Sequence, residues 1–201
     1  MNDEIRKSRY HHGDLPAALI DAAVELIEEK GIAGLTLREV ARRVGVTHAA
    51  PYRHFKDKSA LVAAVAEEGF RRITDRIARD SASLPDCGRI YLEFAVAHPE
   101  HFRVMFGSAA LRARTASLNE AYEQLMEQLR LAVRRAESSS IVAAGDIDAR
   151  TRLLWAQWHG LASLVVSGHT SKPERELDDH FAMLLAGIGP PSTSPPSTSP
   201  P

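Results

Sequence analysis

The stretch TLREVARRVGVTHAAPYRHFKDK, Thr36 to Lys58, leaves its chain few ways to fold. Thr36 with Glu39 three residues later forms a capping box, in which each side chain satisfies the other's orphan amide at the start of a helix. Val40, Ala41 and Val44 then point to one side, and Gly45 can take the left-handed conformation that ends a helix and opens a tight turn. A second short helix completes a helix-turn-helix, and small residues at Ala41 and Gly45 let the two helices cross closely. Pro51 is the difficulty, because proline inside a helix costs about 3 kcal/mol. In the first turn it is harmless, since its missing amide would have had no intrahelical acceptor. Pro51 therefore places the start of the second helix at Thr47 or His48 and pushes Ala50 away from helical dihedrals. The resulting reading element is short, from Thr47 to His54, before Phe55 turns inward.

The flanking segments are helical as well. From Asp14, DLPAALIDAAVELIEEKG puts Leu15, Leu19, Ala22, Ala23, Leu26 and Ile27 on one face, with Pro16 in the first turn and Gly31 as a stop. Asp57 caps a longer helix carrying Leu61, Val62, Val65, Phe70, Ile73 and Ile77 at helical spacing. The segment 81–88 is loop-like and suggests a domain boundary. Helical patterns resume over 90–97, 99–106, 117–138, 148–167 and 174–188. No alternating strand pattern occurs, so the expected class is all-α. The organisation read from this pattern is a basic arm over 1–10, a three-helix helix-turn-helix domain over 11–57 with the motif at 36–55, a connecting helix over 58–80, a larger helical domain over 81–189 and a Pro/Ser/Thr tail over 190–201. The tail repeats a five-residue unit and cannot bury enough apolar surface to offset its ordering, so it is expected to stay disordered or extended.

Composition removes several functional classes. No apolar run reaches the roughly 18 residues of a membrane span, and the first residues do not resemble a signal peptide, so a cytoplasmic location is expected and no membrane partner. Cys87 is the sole cysteine, which excludes an internal disulfide or a cysteine-built zinc site. His98 and His101 stand three apart, but Pro99 lies between them and no third ligand is evident, so a helix junction fits better than metal. No nucleophile-base-orienter set, phosphate-binding glycine loop or cofactor motif is present, and no enzyme is expected. The net charge of -1 looks wrong for a nucleic-acid binder. Placement matters more than the sum, however, and Arg42, Arg43, Arg53, Lys56 and Lys58 gather around the motif, with Arg6, Lys7 and Arg9 in the arm.

Together Thr36, Val40, Ala41, Gly45, Tyr52, His54, Phe55 and Lys58 resemble the N-terminal signature of the TetR family of bacterial transcriptional regulators, over about residues 11 to 75. More loosely, YLEFAVAHPEHFRVMF and the Trp-His-Gly of WAQWHGLASLVVSG are similar to the effector-binding and dimerisation domain of one TetR branch. The resemblance implies phosphate contacts from Tyr52, His54 and Lys58, with one more from Thr36. Residues near the start of a helix in the major groove read base edges, which points to Thr47, His48 and Arg53, with Ala49 and Ala50 small enough to approach thymine methyls. In the second half Phe94, Phe102, Met105, Phe106, Tyr122, Met126, Trp155 and Trp158 could line an apolar cavity, although residues at this spacing also make ordinary core. The family pattern makes the last two helices a four-helix dimer interface through Leu154, Leu161, Val165, Phe181, Leu184 and Leu185. The implied whole is a homodimeric repressor on palindromic double-stranded operator DNA, released by a small apolar or amphipathic effector and needing no cofactor. The alternative is a dimeric DNA-binding protein that answers to no effector.

Overall fold

Local signals set the helix ends in the first third of the chain, which a computed structural model describes over residues 15–108, 110, 115–139 and 145–169. Helix α1 spans Leu15–Gly34 and is broken at Gly31, where φ is 67°, so the glycine stop lies inside a longer helical run. Its buried face is Leu19, Ala22, Ala23, Val24, Leu26 and Ile27. Helix α2, Leu37–Val44, starts where the Thr36 side chain accepts the Glu39 amide at 3.1 Å and ends at Gly45, whose φ of 79° is the left-handed cap. The other half of the expected capping box is replaced, because the Glu39 carboxylate is engaged by Arg42 at 2.7 Å and Lys30 at 3.1 Å.

The second helix of the motif is the main departure from expectation. Residues 51–53 form a single 3-10 turn rather than an α-helix. With no amide on Pro51, the Thr47 carbonyl accepts from Ala50 at 3.0 Å, three residues on, and the Ala50 carbonyl repeats that spacing by accepting from Arg53 at 3.2 Å. Ala50 itself is right-handed helical (φ -61°, ψ -44°), contrary to the expectation drawn from the following proline. The bias of a pre-proline residue is a preference, and the tight turn overrides it.

Helix α3, Lys58–Arg79, opens with Asp57 Oδ1 accepting the Ala60 amide at 2.9 Å. Helix α4, Leu84–Ala97, begins earlier than its apolar pattern suggested and takes in residues 84–88 of the supposed loop. Ser83 acts as its N-cap, with Oγ accepting the Asp86 amide at 3.4 Å, and Pro85 falls in the first turn, where it is tolerated. Helices α5 (Pro99–Phe106), α6 (Ala116–Ser138) and α7 (Ile147–Val166) follow the pattern closely. Among the described residues the fold is all-α. The arm, the tail and the segment 174–188 lie outside them.

The chain divides into two compact units. One comprises residues 1–72 and 98–122, and the other 73–97 and 123–201. The first packs α1, α2, the 3-10 turn and α3 around Leu19, Leu26, Ile27, Leu35, Val40, Phe55, Leu61 and Val65, and Val104 of α5 joins this core. In the second unit Arg76 of α3 bonds Glu93 of α4 at 2.6 Å, Arg130 of α6 bonds Asp148 of α7 at 2.8 Å, and α4 packs along α7. Cys87 is fully buried there, and burial pushes its thiol up to about 12, which leaves it unreactive at neutral pH.

Candidate nucleic-acid interface

Two buried residues hold the reading element to the body, Pro51 and, four residues on, Phe55. Everything else in this stretch that could touch a ligand turns outward: Thr47, His48, Ala49, Tyr52, Arg53 and His54 are all exposed. Tyr52 keeps 58% of its surface in solvent, a large unpartnered aromatic on a polar face. Pro51 thus anchors the element rather than disrupting it.

The positive charges around this surface are not equivalent. Arg42 is held by Glu39, whose carboxyl its guanidinium and then the Lys30 ammonium lower to about 2. Arg43 reaches back to α1, bonding Glu29 at 2.5 Å and Glu25 at 3.4 Å. The Lys58 ammonium donates to the Ile32 carbonyl at 2.7 Å, beside the break at Gly31. Among the described residues Arg38, Arg53 and Lys56 are exposed and carry no ion pair. They are the side chains able to meet phosphate oxygens without first giving up a partner. Arg38 was not singled out from the sequence, although its place outside the Leu37, Val40 and Ala41 face of α2 was readable. Thr36 is exposed and already serves as the cap of α2.

The eight residues read as lining a cavity fall into two groups, one in each unit. Phe102, Met105, Phe106 and Tyr122 belong to the first. There Phe70 of α3 meets Phe106 and Tyr122 edge-on at centroid distances of 5.4 and 5.7 Å, and Phe102 packs on Phe106 at 5.0 Å. Phe94, Met126, Trp155 and Trp158 belong to the second, where all but the half-buried Trp155 are buried. Trp155 stacks on His159 at 5.3 Å, and Tyr91 Oη lies 2.8 Å from His159 Nδ1. Burial holds His159 below the ordinary imidazole range. Among the described residues no cluster of three metal-ligating side chains occurs. His101 is fully buried, with Nε2 2.7 Å from the Val65 carbonyl, and burial lowers it to about 4.

On α7, Leu154 and Leu161 are buried and Val165 is half-buried. Leu153 and Leu164 are exposed, and Gly160 has open space where a side chain would be. Phe181, Leu184 and Leu185 lie outside the described residues.

This geometry meets its match in known proteins. A family model described as "Bacterial regulatory proteins, tetR family" covers residues 19–65, and one described as "Tetracyclin repressor-like, C-terminal domain" covers residues 84–188, more than half of the chain. The chain belongs to the TetR family: it is a DNA-binding transcriptional regulator, and the family is one of regulators, not enzymes. Across 179 residues it is 28% identical to the nucleoid occlusion factor SlmA of Alteromonas mediterranea, covering 83% of this chain and 91% of that one. A protein of unknown function from Rhodococcus sp. RHA1 has a similar structure, with 29% identity, a TM-score of 0.76 and coverage of 92% of this chain and all of the other. SmeT, the repressor of the Stenotrophomonas maltophilia multidrug efflux pump SmeDEF, is 25% identical, with a TM-score of 0.60 and coverage of 92% and 95%. Among the described residues no helix is long and apolar enough to cross a membrane.

Proposed function

We propose that this regulator is a cytoplasmic repressor that binds a two-fold symmetric operator as a homodimer and leaves it when a small apolar or amphipathic effector binds the C-terminal half. The observation that carries the DNA reading is the surface built by Thr47, His48, Ala49, Tyr52, Arg53 and His54, which Pro51 and Phe55 hold outward as one set. Thr47, His48 and Arg53 read base edges, Ala49 approaches thymine methyls, and Tyr52 and His54 hold phosphates together with Arg38 and Lys56. Lys58 and Thr36 assist from the flank, where each already has an intramolecular bond. The likeness to SmeT, itself a repressor, supports repression.

Dimerisation is assigned to α7 and the segment after it. Leu153, Gly160 and Leu164 share one face of α7 and are open, whereas Leu154 and Leu161 are buried. The proposed contact on this helix is therefore the face of Leu153 and Leu164, completed by Phe181, Leu184 and Leu185. The group around Trp155, with Phe94, Met126 and Trp158 in the second unit, supplies apolar contacts for the effector. Release requires it to bind the non-operator state better, by about 1–3 kcal/mol of coupling.

Selection of bound duplexes from a random pool, then footprinting and release assays with a metabolite library, tests the reading. Two-fold symmetric protection with half-sites about 34–36 Å apart is expected; asymmetric protection sinks the dimer model. The likeness to a protein named for nucleoid occlusion keeps a second reading in play, a dimeric DNA-binding protein without an effector. It is favoured if no metabolite alters binding.

A further inference from the structure

Helix α5 has eight residues, fewer than a helix needs to persist alone in water, and its own sequence gives it no N-cap, since His98 offers no side-chain bond to the first turn. The acceptor comes from far away in the chain. Glu28, half-buried on α1, places Oε1 3.0 Å from the His101 amide and Oε2 3.3 Å from the Glu100 amide. One carboxylate therefore takes two of the orphan donors at that end, where the helix dipole also favours negative charge. Two features fix α5 to α3 as well. The His101 ring bonds the Val65 carbonyl at 2.7 Å, and Gly69 lets the helices approach so closely that a Cβ there would collide with Met105 Sδ and stand 2.9 Å from His101 Nε2. Glycine in a helix interior costs about 1 kcal/mol relative to alanine, so its presence at this spot answers to packing.

The neighbouring acids of α1 point the other way. Glu25 and Glu29 bond Arg43 of α2, while Glu28 bonds α5. Arg72 of α3 adds a tie to Asp21 of α1 at 2.9 Å. Within ELIEE, then, three glutamates of one helix hold the motif helix α2 on one side and α5 on the other.

We propose that Glu28 is a positioning residue that docks α5 onto α1, so that α5 moves with the helix carrying α2 and DNA occupancy is felt at the N-terminus of α5. The inference rests on the DNA reading above for its second half. By reciprocity, whatever factor DNA occupancy contributes to closing this docking is the factor by which opening it weakens DNA binding.

The test is amide hydrogen exchange on the full chain, alone and with the duplex recovered by selection, for the wild type, Glu28→Ala, Glu28→Gln and Glu29→Ala. Without DNA, Glu28→Ala should speed exchange at the Glu100 and His101 amides about fivefold, as expected when a cap is removed. Glu28→Gln keeps an acceptor oxygen and should recover part of that protection, and Glu29→Ala should leave these amides at wild-type rates. With the duplex bound, the wild-type α5 amides should slow further, and those of Glu28→Ala should not, although the duplex still binds. Unchanged exchange in Glu28→Ala, or wild-type α5 amides indifferent to the duplex, overturns the proposal. Should selection yield no duplex, the DNA reading fails by itself, and the exchange rates without DNA decide whether Glu28 docks α5.

Discussion

Helices α2 and α5 are both eight residues long, and they are held in opposite ways. The first carries its own instructions: Thr36 caps its start, Gly45 ends it, and Leu37, Val40 and Ala41 are buried beneath it. The second borrows nearly everything. Its cap is Glu28 of α1, its ring anchor is the Val65 carbonyl, and the space for Met105 exists because residue 69 is glycine. A short helix whose ends are set by its own neighbours in sequence is suited to presenting a fixed surface, whereas one capped by a distant group is suited to responding when that group shifts.

The largest expected effect comes from cutting the reading element off the shared core. Phe55→Ala removes one of its two buried anchors and should cost about 3–4 kcal/mol, measured by denaturant unfolding, with loss of duplex binding. If the stability loss stays under about 1 kcal/mol, Phe55 is not an anchor of this kind.

Acid should act next, on the α5 side. His101 is lowered from 6.5 to about 4 in the fold, so between those values the unfolded chain takes up a proton that the native chain refuses. Stability is therefore retained above pH 6.5 and falls as the pH drops through this window, by up to about 1.4 kcal/mol per unit. His101→Gln, which can still donate to Val65, should flatten this slope and leave the contribution of His159, which burial also lowers. An unchanged slope would show that His101 is not its source.

Smaller effects follow on the α2 side. Pro51→Ala trims a smaller buried anchor than Phe55 and should cost about 1–2 kcal/mol with the fold preserved, while restoring an amide that the Thr47 carbonyl can accept in α-helical spacing. Thr36→Ala should cost about 1 kcal/mol in melting experiments, as removal of an N-cap usually does. The sharpened contrast is that Thr36→Ala frays α2 without altering hydrogen exchange in α5.

The same contrast explains how much of the molecule was legible in its sequence. The cap, the glycine turn, Asp57 and the inward turn of Phe55 are encoded within a few residues of where they act, so the motif could be read. The 3-10 geometry could not, because the pre-proline preference of Ala50 pointed to extended backbone, and the hydrogen bond from Ala50 to Thr47 outweighed it. The early start of α4 was hidden because Pro85 and Gly88 read as loop residues, although proline suits a first turn. Glu28 was invisible as a cap, since its partners lie 72 and 73 residues away. The charge pattern near the motif misled in part: Arg42 and Arg43 are drawn into ion pairs, and the unnoticed Arg38 stands clear.

Anisotropy titration of the selected duplex against the wild type and the combined His48→Ala, Tyr52→Ala, Arg53→Ala variant tests the central claim most directly. All three side chains are exposed, so the variant should melt within a few degrees of the wild type. The account expects its affinity to fall at least about 100-fold, since each base or phosphate interaction removed should weaken binding by roughly 1–3 kcal/mol. Equal affinity for the duplex, with folding intact, would place the DNA-binding surface elsewhere on the molecule.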